Sequence, residues 1–111
     1  MGGDIRNTNE EIRIGDLEIR IAEDRRDVVR VLVNDRRVSL NGRIDTFVEK
    51  RRLQELINAR NEIEALRLLI EEHVRVLEDC CMGGEFVRMQ IEFRIMRDLL
   101  RLLWDRILRE R

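Results

Sequence analysis

NGRIDTFVEKRRLQEL, residues 41–56, contains the point at which the hydrophobic period of this chain changes, and its reading decides the fold. On its N-terminal side apolar residues alternate with charged ones. Ile12 and Ile14, then Leu17, Ile19 and Ile21, then Val29, Val31 and Val33, and finally Val38 and Leu40 recur at every second place. Alternation rich in β-branched residues marks strands with one buried face. Gly15-Asp16, EDRRD (23–27) and NDRR (34–37) read as turns. Asn41-Gly42 then closes a region of two to four antiparallel strands over residues 11–42. Within the quoted stretch, Thr46 and Glu49 stand in the Ser/Thr-x-x-Glu relation of a capping box, in which each side chain satisfies an unpaired backbone amide of the other. The expectation is a helix that starts near residue 46.

Beyond that point the period is seven. Leu56, Ile63, Ile70 and Leu77 hold one heptad position, and Ala59, Leu66, His73 and Cys80 hold the other. This is a coiled-coil-type signal, uninterrupted by Gly or Pro before Gly83. The last segment repeats it with Phe86, Phe93, Leu100 and Ile107 beside Met89, Met96 and Leu103. A further row, Ile91, Ile95, Leu99 and Leu102, widens the apolar band to about half the helix circumference. Gly83-Gly84 separates the two helices, because Gly tolerates the left-handed conformation that ends a helix, and Glu85 suits the positive start of the next.

A helix over residues 46–82 would be roughly 50 Å long, whereas a compact domain of this size is roughly 35 Å across. Such a rod overhangs its own domain unless it bends or a partner covers it. The expected fold is therefore α+β: a flexible N-terminus (1–10), a small antiparallel sheet or hairpin (11–42), and a long antiparallel helical hairpin (43–111, with helices at about 46–82 and 85–110). All of it forms one domain, and the hairpin is expected to pair with a second copy as a four-helix bundle. Leu56, Ile63, Leu66, Ile70, Leu77, Phe93, Met96, Leu100 and Leu103 are the residues expected to carry that interface. Trp104, at the margin of the band, reads as an interface anchor.

Charge argues against several function classes. The 111 residues carry 22 basic and 23 acidic side chains, for a net charge of −1. Lys50 is the single lysine in an otherwise arginine-only basic set. No stretch approaches the roughly 18 apolar residues of a membrane span, and MGGDIR carries no signal-peptide run. The expectation is an intracellular, cytoplasmic protein without membrane association. Nucleic-acid binding is the rival reading. Residues 82–111 carry 7 basic against 5 acidic groups, and Arg94, Arg97 and Arg101 share a polar helix face that could touch phosphates. Only 4% of residues are aromatic, which supplies base stacking poorly.

Cys80 and Cys81 lack the C-x-x-C spacing for chelation or redox exchange. They read as structural residues at the helical corner, with an intersubunit disulfide as the redox alternative. His73, the single histidine, falls at a core heptad position, where its charging would be costly. No Ser/His/Asp order, HExxH run or glycine-rich phosphate loop is present. The expected protein is thus a non-enzymatic, homo-oligomeric interaction or adaptor protein, with no cofactor and no metal, whose partners are itself and another protein.

Overall fold

The computed structural model describes residues 10–38 and 42–110. Ser39, Leu40 and Asn41, and with them the Asn41 half of the expected Asn-Gly turn, lie outside the described residues, as do residues 1–9 of the expected flexible N-terminus. Four strands, β1 (Glu11–Ile14), β2 (Leu17–Asp24), β3 (Val28–Asp35) and β4 (Ile44–Glu49), form an antiparallel meander in the order β1-β2-β3-β4. Strand alternation puts Ile14, Leu17, Ile19, Ile21, Val29, Val31, Val33, Ile44 and Val48 on one face, where all are buried. The opposite face is half-exposed and bears ion pairs such as Arg30 with Asp45 at 2.6 Å.

Gly15 and Asp16 form the two-residue turn between β1 and β2, since Ile14 pairs with Leu17. Gly15 has φ +60 and, among the described residues, no non-glycine residue has positive φ, the arrangement of a type II′ turn with glycine at its first central position. Between β2 and β3 the register shifts from Ile21↔Val31 to Glu23↔Arg30, which leaves Ala22 as an extra, bulged residue.

The expected helix start at Thr46 is corrected: residues 44–49 are a strand. IDTFVE alternates, with Ile44, Thr46 and Val48 inward, and it pairs with β3 from Val33↔Ile44 to Val28↔Glu49. The Thr-x-x-Glu spacing loses because β3 needs a partner for its second edge, and β-branched Ile44, Thr46 and Val48 suit a pleated surface. Glu49 ends the strand, and its N–H donates to Glu72 Oε1 at 2.7 Å instead of being capped by Thr46.

The roughly 50 Å rod is corrected as well. After a 3-10 turn at Lys50–Arg52 come α1 (Leu53–Ile57), a break, α2 (Glu62–Met82) and α3 (Phe86–Arg109). Asn61 caps α2 by accepting the Glu64 N–H at 2.9 Å. At 21 residues α2 is about 32 Å long, which fits inside a molecule of 44 × 38 × 23 Å. The argument for a partner from overhanging length therefore falls away. The corner between α2 and α3 is made as expected: Gly84 has φ +68, and the Glu85 N–H donates to Cys80 O at 2.9 Å. Both helices pack over the inner face of the sheet. Ala65, Leu66, Leu68, Leu69, Leu99 and Leu102 share one core with the inward strand residues.

Candidate interaction surface

Helices α2 and α3 divide their apolar residues between two jobs. Leu66 of α2 and Met96 of α3, like Leu56 of α1, are buried in the chain's own interior. Of the other residues expected at an interface, Ile63, Ile70, Leu77 and Leu103 are half-buried, and Phe93, Leu100 and Trp104 are exposed. Placed at 100° per residue, Phe86, Phe93, Leu100, Trp104 and Leu108 fall within about 80° of arc, on the side of α3 away from the sheet. Ile63, Ile70, Val74, Leu77 and Cys81 fall within about 60° on the corresponding side of α2. The outer side of the helical layer therefore carries a second apolar face, back to back with the core.

The exposures are large: 69% for Phe86, 55% for Phe93, 47% for Leu100 and 58% for Trp104. At about 200 Å² per aromatic side chain, the three aromatics alone present on the order of 350 Å² to solvent. Val74, Leu100 and Leu108 add aliphatic surface beside them. The total, on the order of 550 Å², lies at the upper end of the roughly 300–600 Å² of a typical monomer's largest patch and below the roughly 800 Å² that one partner buries in a standard interface.

Polar side chains frame this face, and one of them, Arg97, falls within its arc on α3. Arg94, Arg97 and Arg101 are exposed on α3, and among the described residues none of them makes an ion pair. Glu64, Arg67, Glu71 and Glu78 are exposed on α2, and Glu71 has one partner, Arg52, at 3.1 Å. Cys81 is exposed at the end of α2 and Cys80 is fully buried, both as free thiols.

Beneath the face, three polar knots fix the helices to the sheet. His73, fully buried, bridges three elements: Nδ1 lies 2.8 Å from Thr46 Oγ1 on β4, and Nε2 lies 3.1 Å from the Glu92 carbonyl and 3.0 Å from Glu92 Oε1 on α3. Since Nε2 faces two acceptors, it carries the proton, and the Thr46 hydroxyl donates to Nδ1. Burial pushes the imidazole pKa below its ordinary value, against the opposing pull of Glu92. This hydroxyl–imidazole–carboxylate chain has the composition of a nucleophilic relay, but Thr46 has no solvent-exposed surface for a substrate to approach.

The second knot is Arg106, which is 3% exposed. Its Nη1 donates to Asp35 Oδ2 at 2.5 Å, while Nε and Nη2 reach the two oxygens of Glu62 at 3.1 and 3.2 Å. Glu62 Oε2 also accepts the Asp16 N–H at 2.6 Å, so one guanidinium joins α3, β3, the N-terminus of α2 and the first hairpin. Burial pushes the Asp35 carboxyl up, but Arg106 and the Arg37 N–H outweigh it and hold it below the usual value. In the third knot, Glu72 accepts the Glu49 N–H and an Arg52 Nη1 at 3.1 Å, and Glu49 also pairs with Arg75. These carboxylates line a groove of about 420 Å³ between β4 and α2 that also includes Asp27, Phe47, Glu78 and Asp79.

Neither Arg106 nor Asp35 stands out by residue type, although both occupy apolar phases. Asp35 continues the inward row Val29, Val31, Val33, and Arg106 continues the row Leu99, Leu102. Two opposite charges, each in a core position, were the available signal. No helix among the described residues is long and apolar enough to cross a membrane. Comparison of the chain with protein-family models, curated proteins and solved structures gives no match in any of the three.

Proposed function

We propose that this chain is a non-enzymatic, homo-oligomeric interaction protein of the adaptor or regulatory kind, assembled through the outer face of α2 and α3. One observation carries the reading: Phe93, Leu100 and Trp104 remain about half exposed in a single row after the chain has completed its core. Hiding that row from water favours association at roughly 25 cal/mol per Å² before the cost of immobilising two bodies. The half-buried row Ile63, Ile70 and Leu77 on α2 extends the same face. Two such layers face to face make a four-helix bundle. The polar outer side of each sheet then remains free for another protein. Sedimentation of the purified chain at micromolar concentration tests this reading. A species of twice the 13.4 kDa chain mass is expected, and a homogeneous monomer overturns it.

A second reading rests on Arg94, Arg97 and Arg101, which are exposed and without ion-pair partners among the described residues. They could follow a phosphate backbone, although Asp98 and Asp105 interrupt them. Phosphate contacts predict affinity for mixed nucleic acids that falls steeply with salt. Absence of binding at low salt removes this alternative and leaves the arginines to the protein interface.

A further inference from the structure

From the charges that flank the outer apolar face, we infer that the partner of this face is a second copy of the chain, docked about a two-fold axis parallel to the helices, with α3 of each copy lying over α2 of the other. The inference rests on the self-association reading above and adds the arrangement and the residues that fix it.

The two helices differ in sign. Helix α2 carries two arginines against six carboxylates, a balance of −4, and α3 carries six arginines against three carboxylates, a balance of +3. The difference extends to the rims. Glu64 and Glu71 lie on the edge of α2 remote from α3, and Arg94 and Arg101 lie on the edge of α3 remote from α2, by the same 100° placement. All four are exposed.

Two layers can meet face to face about either of two axes. An axis across the helices stacks α2 on α2 and α3 on α3, bringing acidic rim to acidic rim and basic to basic. An axis along the helices stacks each α3 on the partner's α2; neighbouring helices are antiparallel about either axis. Like charges placed opposite one another are costly and select against the first arrangement.

Height along the helices agrees with the second. An axis along the helices leaves each residue at its own level, and two contacts within the chain set the levels: Arg106 meets Glu62, and His73 meets Glu92. Between those two marks Arg94 stands near the level of Glu71, and Arg101 near that of Glu64. Arg94 and Arg101 are seven residues apart, as are Glu64 and Glu71, two turns of helix in each case. Each arginine thus faces a carboxylate of the other copy, twice over by symmetry. By the same levels Arg97 meets Arg67 of the other copy nearer the middle, one like-charge contact against the two opposite-charge pairs, with the aliphatic stems lying along apolar neighbours while the charged ends reach the rim.

The test uses two charge-reversed full-length chains, Arg94→Glu with Arg101→Glu, and Glu64→Arg with Glu71→Arg. Alone, each faces its own kind across the interface and should self-associate at least about tenfold more weakly than the wild type. Mixed in equal amounts, each α3 meets an opposite charge on its partner, and a heterodimer of wild-type affinity should form, measured by sedimentation with one chain labelled. Far-UV circular dichroism confirms that each variant is folded. Should the change in the first turn of α2 prevent folding, Arg94→Glu with Glu71→Arg in separate chains carries the same test. Variants that dimerise as the wild type does, or folded variants whose mixture stays monomeric, overturn the arrangement and leave self-association standing. A monomeric wild type removes both.

Discussion

Replacing Arg106 with leucine should be among the most damaging single changes on the surface of the core. Asp35 has a side chain with no solvent exposure, and its charge is answered by the Arg106 guanidinium at 2.5 Å and by the Arg37 N–H at 2.8 Å. Removing one member of a buried ion pair leaves an uncompensated charge, at a cost of about 3–5 kcal/mol. That is a large part of the roughly 5–15 kcal/mol that holds a domain together. Glu62 suffers less, since it is 20% exposed and keeps the Asp16 N–H. Urea denaturation at pH 7 measures the loss, with an unchanged slope showing that the transition is the same. The double variant Asp35→Leu, Arg106→Leu removes both charges and should regain most of it, because apolar replacement of a buried pair is near neutral.

Acidity gives a second check with a definite sign. In the wild type the Asp35 pKa lies below its unfolded value of 3.8, so its contribution is present above about pH 4 and is lost as pH falls through the folded pKa. In Arg106→Leu, burial without the guanidinium raises that pKa, so protonation relieves the strain. The gap between the two proteins should narrow on acidification. A single variant that loses less than about 1 kcal/mol, or a double variant no better than the single, refutes the account of Arg106 as the charge that Asp35 depends on.

His73 titrates from a folded pKa below its ordinary 6.5. Stability should therefore be fully present above about pH 6.5 and decline as pH falls from there through the folded value, and a stability–pH profile of His73→Leu should lack that slope. Gly15→Ala forces a left-handed conformation at φ +60 and puts a methyl 2.6 Å from Glu62 Oε2. A loss of about 1–2 kcal/mol is expected from the backbone plus the collision, with a smaller loss in a Glu62→Ala background, as read by paired urea melts. Leu100→Asp, at a position 47% exposed, should leave the melting temperature of the monomer nearly unchanged while abolishing self-association. Ile70→Asp, which packs against the core, should do both kinds of damage.

The sequence carried the fold class and much of its outline. Strands β1 to β3 are legible because Ile, Leu and Val alternate with charge over 12–33, and helix α3 because its period is uninterrupted. That Thr46 sits in a strand and not at a helix start has a physical cause. Six residues that alternate, followed at once by helix-forming ones, satisfy a strand and a capping box equally well as local patterns. What separates them is whether β3 has an open edge to fill, which is a fact about the sheet. The heptad register from Leu56 to Ile63 was similarly coincidental: Asn61 begins a new helix, and the Asn61–Glu64 cap was the local signal for it.

By itself, the amino-acid order determined that the first third would be pleated, that the last half would form two amphipathic helices with a glycine corner, and that those helices would carry more apolar surface than one side can bury. Periodicity decides these matters because it reports which side chains share a side of their own element. Only the tertiary structure decided which of two apolar sides meets the sheet, sending Leu66 and Leu99 inward and leaving Phe93 and Trp104 outside. It also brought Arg106 to Asp35 across 71 positions of sequence. Such pairings depend on which elements become neighbours, and local spacing carries no information about distance through space.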